Sequence, residues 1–169
     1  MKNLRHFLVI FLAFGITFCA EGQIRRTVYG NNHVVKKVRE AGPFTGIRVS
    51  SGIDVYLKQT GSESITVEAD ENLHEYIVTE IRGGVLNVYS DANIREAEMK
   101  RVYVTMRDIT SLKTLSAGDL IGESPVTADV LELSASSAGD IKLELKAKKV
   151  DIDISSSGDM TLSGEADML

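Results

Sequence analysis

The chain has 169 residues, 43% of them hydrophobic and 25% charged, with a formal net charge of −5. That length suits one domain with or without an export segment, and such a domain buries about two thirds of its unfolded surface without disulfide or metal staples. Cys19 is the single cysteine, which excludes a disulfide framework. The acidic balance excludes a phosphate-backbone partner, so no nucleic acid is expected. Lys146, Lys148 and Lys149 form the densest basic group and are read as the solvated end of a strand.

The first elements concern targeting. Lys2 and Arg5 precede an unbroken apolar run over 7–18, and Ala20-Glu21-Gly22 places small residues where signal peptidase reads. This is the charged, apolar and small-residue order of a secretory signal. The run falls short of the roughly twenty apolar residues a bilayer span needs. Residues 1–22 are therefore expected to be a signal peptide cleaved after Gly22. Lipidation of Cys19 is the alternative, disfavoured by bulky Phe18 beside it. Either route implies an extracytoplasmic protein, and periplasm, outer membrane and cell surface stay open.

Residues 23–43 are polar and basic and read as a lead-in arm with one strand over 34–38. From Phe44 onward the apolar residues alternate. Ile47, Val49, Ile53, Val55 and Leu57 share one parity, with Arg48, Asp54, Tyr56 and Lys58 between them. That period of two predicts half-buried strands with Gly52 at a turn or bulge. A strand follows over 65–69, then a polar turn or single helical turn over 70–76. Gly83-Gly84 between two apolar runs predicts a hairpin. Residues 90–100 read as a charged loop and 101–107 as another strand.

Three later segments align around Ser-x-Gly-Asp, with glycines at Gly118, Gly139 and Gly158. Leu112, Leu133 and Ile152 stand six residues before them, and Leu120, Ile141 and Met160 two after. A period near twenty residues is the mark of a solenoid. The fold expected is all-β, a parallel β-helix-like β-solenoid in the C-terminal half with roughly 20-residue coils and a hairpin-rich N-terminal half. Glycine supplies the positive φ a tight turn needs, and aspartate holds the turn shut through backbone amides. Gly52 begins a shifted copy, so Asp54 is placed outside the aspartate row.

Candidate chemistry is sparse. Asp119, Asp140 and Asp159 would stack about 4.8 Å apart and form the one candidate cation row, with oxygen ligands suited to calcium. Turn formation explains the same residues. His33 and His74 read as isolated, solvated loop histidines. Asp151 and Asp153 read as the wet face of a strand rather than a glycosidase pair. No catalytic residue, cofactor or Cys/His metal spacing is read from the chain.

The segment Phe44-Thr45-Gly46-Ile47-Arg48-Val49-Ser50-Ser51-Gly52-Ile53-Asp54-Val55 resembles the opening of the "putative auto-transporter adhesin, head GIN domain" family. The segment Val67-Glu68-Ala69-Asp70-Glu71-Asn72-Leu73, the hairpin and the Ser-x-Gly-Asp copies are similar to its later parts. Asp54 stands where the family's name motif has asparagine. The resemblance implies a domain over 44–169, typical of Bacteroidetes-type bacteria, that is exported and has no established catalytic residues. The family usually continues further, so a C-terminal truncation is expected. The functions expected are, first, a non-enzymatic cell-envelope module binding an unknown surface ligand, glycan or protein. The second is a structural solenoid self-associating through an open C-terminal coil, and the third an enzyme acting on polysaccharide.

Overall fold

The computed structural model describes residues 25–169. The signal segment, Cys19 and the Gly22 cleavage position lie outside the described residues.

The alternating stretches become strands: β1 Thr27–Tyr29, β2 Val34–Arg39, β3 Gly46–Val49, β4 Asp54–Gln59, β5 Ser64–Asp70, β6 Ile77–Arg82 and β7 Val85–Ser90. They continue as β8 Asn93–Glu96, β9 Lys100–Met106, β10 Ser111–Thr114, β11 Leu120–Gly122, β12 Val126–Ser136, β13 Asp140–Ser155 and β14 Asp159–Met168. A 3₁₀ turn at Glu71–Leu73 is the one helical element among the described residues. Local chemistry explains most of these bounds. In β13, Ile141, Leu143, Leu145 and Ala147 point inward, while Lys142, Glu144, Lys146 and Lys148 point to water. Gly83 and Gly84 at φ 57° and 78° close β6 onto β7 in a two-residue turn, because both positions need a left-handed backbone.

Twelve strands form one sheet in the order β2-β5-β9-β4-β11-β13-β12-β10-β3-β7-β6, with β14 also against β13. β1 and β8 pair separately in parallel. The sheet is mixed. β5 is antiparallel to both β2 and β9, and β6 to β7, while the remaining ladders are parallel.

This overturns the β-solenoid expectation. The chain is all-β, but it folds as a nearly closed, barrel-like sheet of mixed strand order, not as a stack of parallel coils. The physical reason lies upstream of the Ser-x-Gly-Asp segments. Ile47 pairs with Leu112 and Val55 with Val102, so the parallel neighbours of the first strands come from far along the chain. Antiparallel β5, β6 and β7 fill the interval. Downstream, β12 and β13 run through two sets of neighbours. In β13 the span Asp140–Lys149 lies against β14 and the span Leu145–Ser155 lies against β12. Each long strand thereby carries the sheet round the core. The N-terminal half is not hairpin-rich either, since β6–β7 is the one hairpin among the described residues. The expected loop over 90–100 contains β8, and the lead-in arm contains both β1 and β2.

Ile47, Val49, Ile53, Val55, Leu57, Leu112 and Leu133 are fully buried in a single apolar core. The apolar parity read from sequence is thus the inner face. What matters for function is the outer face, where each residue between two core positions is presented on a hydrogen-bonded frame.

Candidate functional site

The Ser-x-Gly-Asp turns are built differently from the expectation. Gly118, Gly139 and Gly158 do not carry the positive φ. The left-handed residues are the pairs before them: Ser116 and Ala117 (φ 51° and 60°), Ser137 and Ala138 (55° and 62°), Ser156 and Ser157 (50° and 65°). The amides of Gly118, Gly139 and Gly158 bond the carbonyls of Leu115, Ser136 and Ser155 at 3.0–3.2 Å. Two central residues at positive φ inside such a bond define the type I′ pattern. The glycines serve close approach. A Cβ on Gly158 would come within 2.6 Å of the Ala135 backbone, and one on Gly139 within 3.0 Å of Thr114 and of the Gly118 carbonyl.

The turns also bond one another. Gly52 N–H donates to Ser116 O, Ala117 N–H to Ser137 O and Ala138 N–H to Ser156 O, at 3.1–3.3 Å. Ser51 and Gly52 (φ 66° and 62°) therefore correspond to the Ser-Ala pairs. Ile53 then stands in the place of the glycine, and Asp54 in the place of the aspartate. Val55 pairs with Leu120, and its amide bonds the Asp119 carbonyl at 2.7 Å. Asp54 belongs to the row, contrary to the sequence reading. Aligning on the serine rather than the glycine would have found it.

Asp119, Asp140 and Asp159 do stack, and their carboxylates are engaged. Asp119 Oδ1 accepts the Asp140 amide at 3.3 Å and Asp140 Oδ1 accepts the Asp159 amide at 3.2 Å. Burial, then repulsion from Asp140, pushes the Asp119 carboxyl above its ordinary value. Burial, then Asp119, does the same to Asp54, against the pull of Lys100 and Arg101. Among the described residues no group of three or more His, Cys, Asp or Glu is arranged to hold a metal ion.

The same outer-face line continues across the sheet. Asp54 pairs with Arg101, Arg101 with Glu68, and Glu68 with Lys36. The line is acidic at one end and mixed at the other. Two residues on, Tyr56 stacks on Tyr103 with centroids 5.4 Å apart. Lys36 Nζ lies 4.9 Å from the Tyr103 centroid and Arg101 Cζ 5.4 Å from that of Tyr56. The two cations cap the aromatic pair, and Tyr103 Oη donates to Glu68 Oε2 at 2.7 Å. A shallow groove of about 200 Å³ runs beside the acidic end, lined by Asp119, Ile121, Asp140, Lys142, Asp159 and Thr161. This arrangement can present hydrogen-bond acceptors and charge on a rigid lattice. The stacking of Asp119, Asp140 and Asp159 was legible from their spacing, whereas Lys36, Glu68, Arg101, Tyr56 and Tyr103 meet from different parts of the chain and were not.

The remaining candidates separate. His33 is exposed, its Nδ1 3.1 Å from Glu71 Oε2. His74 is 4% exposed, not solvated as expected. Asp151 and Asp153 are exposed, and Asp151 pairs with Lys149 at 2.7 Å. Lys148 pairs with Asp129 at 2.7 Å and Lys146 with Glu165 at 3.7 Å.

Residues 43–169 match the family model described as "Putative auto-transporter adhesin, head GIN domain". The chain belongs to this family. The structure of a putative adhesin from Parabacteroides merdae ATCC 43184 is similar at 26% identity and a TM-score of 0.74, over 81% of this head GIN chain and 59% of that one. A putative adhesin from Bacteroides fragilis NCTC 9343 has the same fold at 17% identity and a TM-score of 0.77, over 82% and 66%. So has a protein from Parabacteroides distasonis ATCC 8503 described as a putative lipid binding protein, at 20% identity and a TM-score of 0.64, over 83% and 70%. The head GIN chain thus spans less than two thirds of the first solved chain it resembles. No curated protein matches it.

Proposed function

We propose that this protein is an exported, non-enzymatic adhesion or binding module of the bacterial cell envelope. The observation that carries the reading is the outer-face line from Lys36 to Asp159. Six strands, and the turn end that leads into β11, hold its side chains about 4.8 Å apart in fixed register. Repeated, pre-organised contacts suit a repetitive surface ligand, because little ordering entropy remains to be lost on binding. The family's description as adhesins supports the same reading. The ligand class, glycan or protein, is settled by experiment. Full-length protein is incubated on glycan and extracellular-matrix protein arrays, with lipid vesicles as a third arm prompted by the structure described as a putative lipid binding protein. Saturable binding that weakens at least tenfold when Asp119, Asp140 and Asp159 are changed together to Asn supports the proposal. Binding unchanged by those substitutions moves the site elsewhere, and no binding on any arm overturns it.

A further inference from the structure

β2 is an outermost strand, joined to the sheet by its single ladder with β5 from Val34 to Arg39. Several side-chain contacts add to that ladder, and two of them involve His74. The Arg39 guanidinium donates to the His74 carbonyl at 2.7 Å. The His74 ring Nε2 lies 3.1 Å from the Val35 carbonyl. A carbonyl only accepts, so Nε2 carries the hydrogen and Nδ1 of the neutral ring is bare. Nδ1 is buried without a partner, as is Nε of Arg39.

Protonation therefore adds its hydrogen at Nδ1, which has no hydrogen-bond partner in the docked arrangement, and besides Val35 the Ala69 carbonyl is the backbone group that favours the charged ring. The charged groups that act on the ring are Lys37 and Arg39, both on β2 and both cations. From β5 comes the backbone carbonyl of Ala69, which offsets a part of their repulsion. Two other pairs bear on the docking of β2. His33 and Glu71 attract more strongly when His33 is protonated, but both are half-exposed or more, so the pair contributes little. Lys36 lies 3.4 Å from Glu68, whose carboxyl is held below its ordinary value chiefly by the Tyr103 hydroxyl and so stays charged in mild acid.

We propose that His74 is a pH latch on β2: the docked strand requires the neutral ring, and mild acid releases Val34–Arg39 from β5 while the rest of the sheet stays formed. Burial first, then the two cations, holds the folded ring below its ordinary value of 6.5. The sign follows from linkage. The docked state binds fewer protons than the undocked one, so docking is fully favoured above about pH 6.5 and weakens as pH falls below it. Release leaves β5 as an open sheet edge whose unpaired amides and carbonyls can receive another strand.

The test is amide hydrogen exchange on the full chain at pH 7.5 and 5.0, corrected for intrinsic exchange. Protection of the β2 amides is expected to be lower at pH 5.0 than at pH 7.5, as docking weakens below the ordinary value of the ring. Amides of β12 and β13 are expected to hold. His74→Gln keeps a donor for Val35 without titrating, and it should flatten the response. His33→Gln should leave the response intact. Wild-type β2 protection that is equal at both pH values, or a response that survives in His74→Gln, overturns the proposal. If His74→Gln does not fold, an NMR titration of the wild-type ring decides. The ring titrating in step with β2 opening supports the latch, and titration without opening removes it.

Discussion

Non-glycine residues in left-handed backbone conformation are unfavourable by about 1–2 kcal/mol each, yet six occupy the Ser-x-Gly-Asp turns. The bonds between successive turns hold them there. Ala138 (φ 62°) is exposed and can be relieved. Ala138→Gly is expected to raise stability by about 0.5–1 kcal/mol, the relief less the added freedom of glycine in the unfolded chain. A thermal melt reads this, and a lowered midpoint would mean the alanine methyl makes a contact of its own. Gly158 is the opposite case. Gly158→Ala drives a Cβ to 2.6 Å from the Ala135 backbone and should cost about 1–3 kcal/mol in a urea titration. Asp119 is a third. Its folded carboxyl titrates above the unfolded value of 3.8, so stability falls as pH rises through the window above 3.8. Asp119→Asn keeps the acceptor for the Asp140 amide and removes the repulsion. It should stabilise the protein at pH 7 by less than about 1 kcal/mol and have almost no effect at pH 3. Equal effects at both pH values would rule out a charge origin.

Elements are joined by a few buried polar groups. Asp70 is fully buried at the end of β5. Its carboxylate accepts the Asn32 amide at 2.9 Å and the Met99 amide at 3.1 Å, tying the β1–β2 and β8–β9 connections to one point. Gly30 packs directly on this carboxylate, where a Cβ has no room. Asp70→Ala leaves two amides without partners and is expected to cost about 2–4 kcal/mol in chemical denaturation. An unchanged midpoint would mean water replaces the carboxylate. The sequence shows Asp70-Glu71-Asn72 as a turn and nothing more. Its partners lie 29 and 38 positions away, so no local pattern could name them. His74 shows the same limit, since its polar neighbours in sequence conceal a buried ring. Asp54 was readable in principle, because Ser51-Gly52 repeats the backbone of Ser116-Ala117.

At the scale of the molecule, most ladders join strands distant in the chain, so loop-closure entropy must be overcome before the sheet pairs. Refolding is expected in milliseconds to seconds, and a stopped-flow phase complete in microseconds would contradict that. The sequence by itself determined the period-two alternation, the inward set from Ile47 to Ile141, the β6–β7 hairpin and the family. These are local properties, since side-chain parity and turn chemistry depend on residues within a few positions. Alignment of Leu112, Leu133 and Ile152 also foretold their lateral pairing, because parallel neighbours there share one register. Tertiary structure alone decided that the sheet curls into a nearly closed barrel rather than extending as coils. It also placed Asp54 beside Asp119, stacked Tyr56 on Tyr103 and buried His74 beneath β2. Each of those outcomes depends on which distant strand meets which, and a period of two is satisfied equally well by any partner.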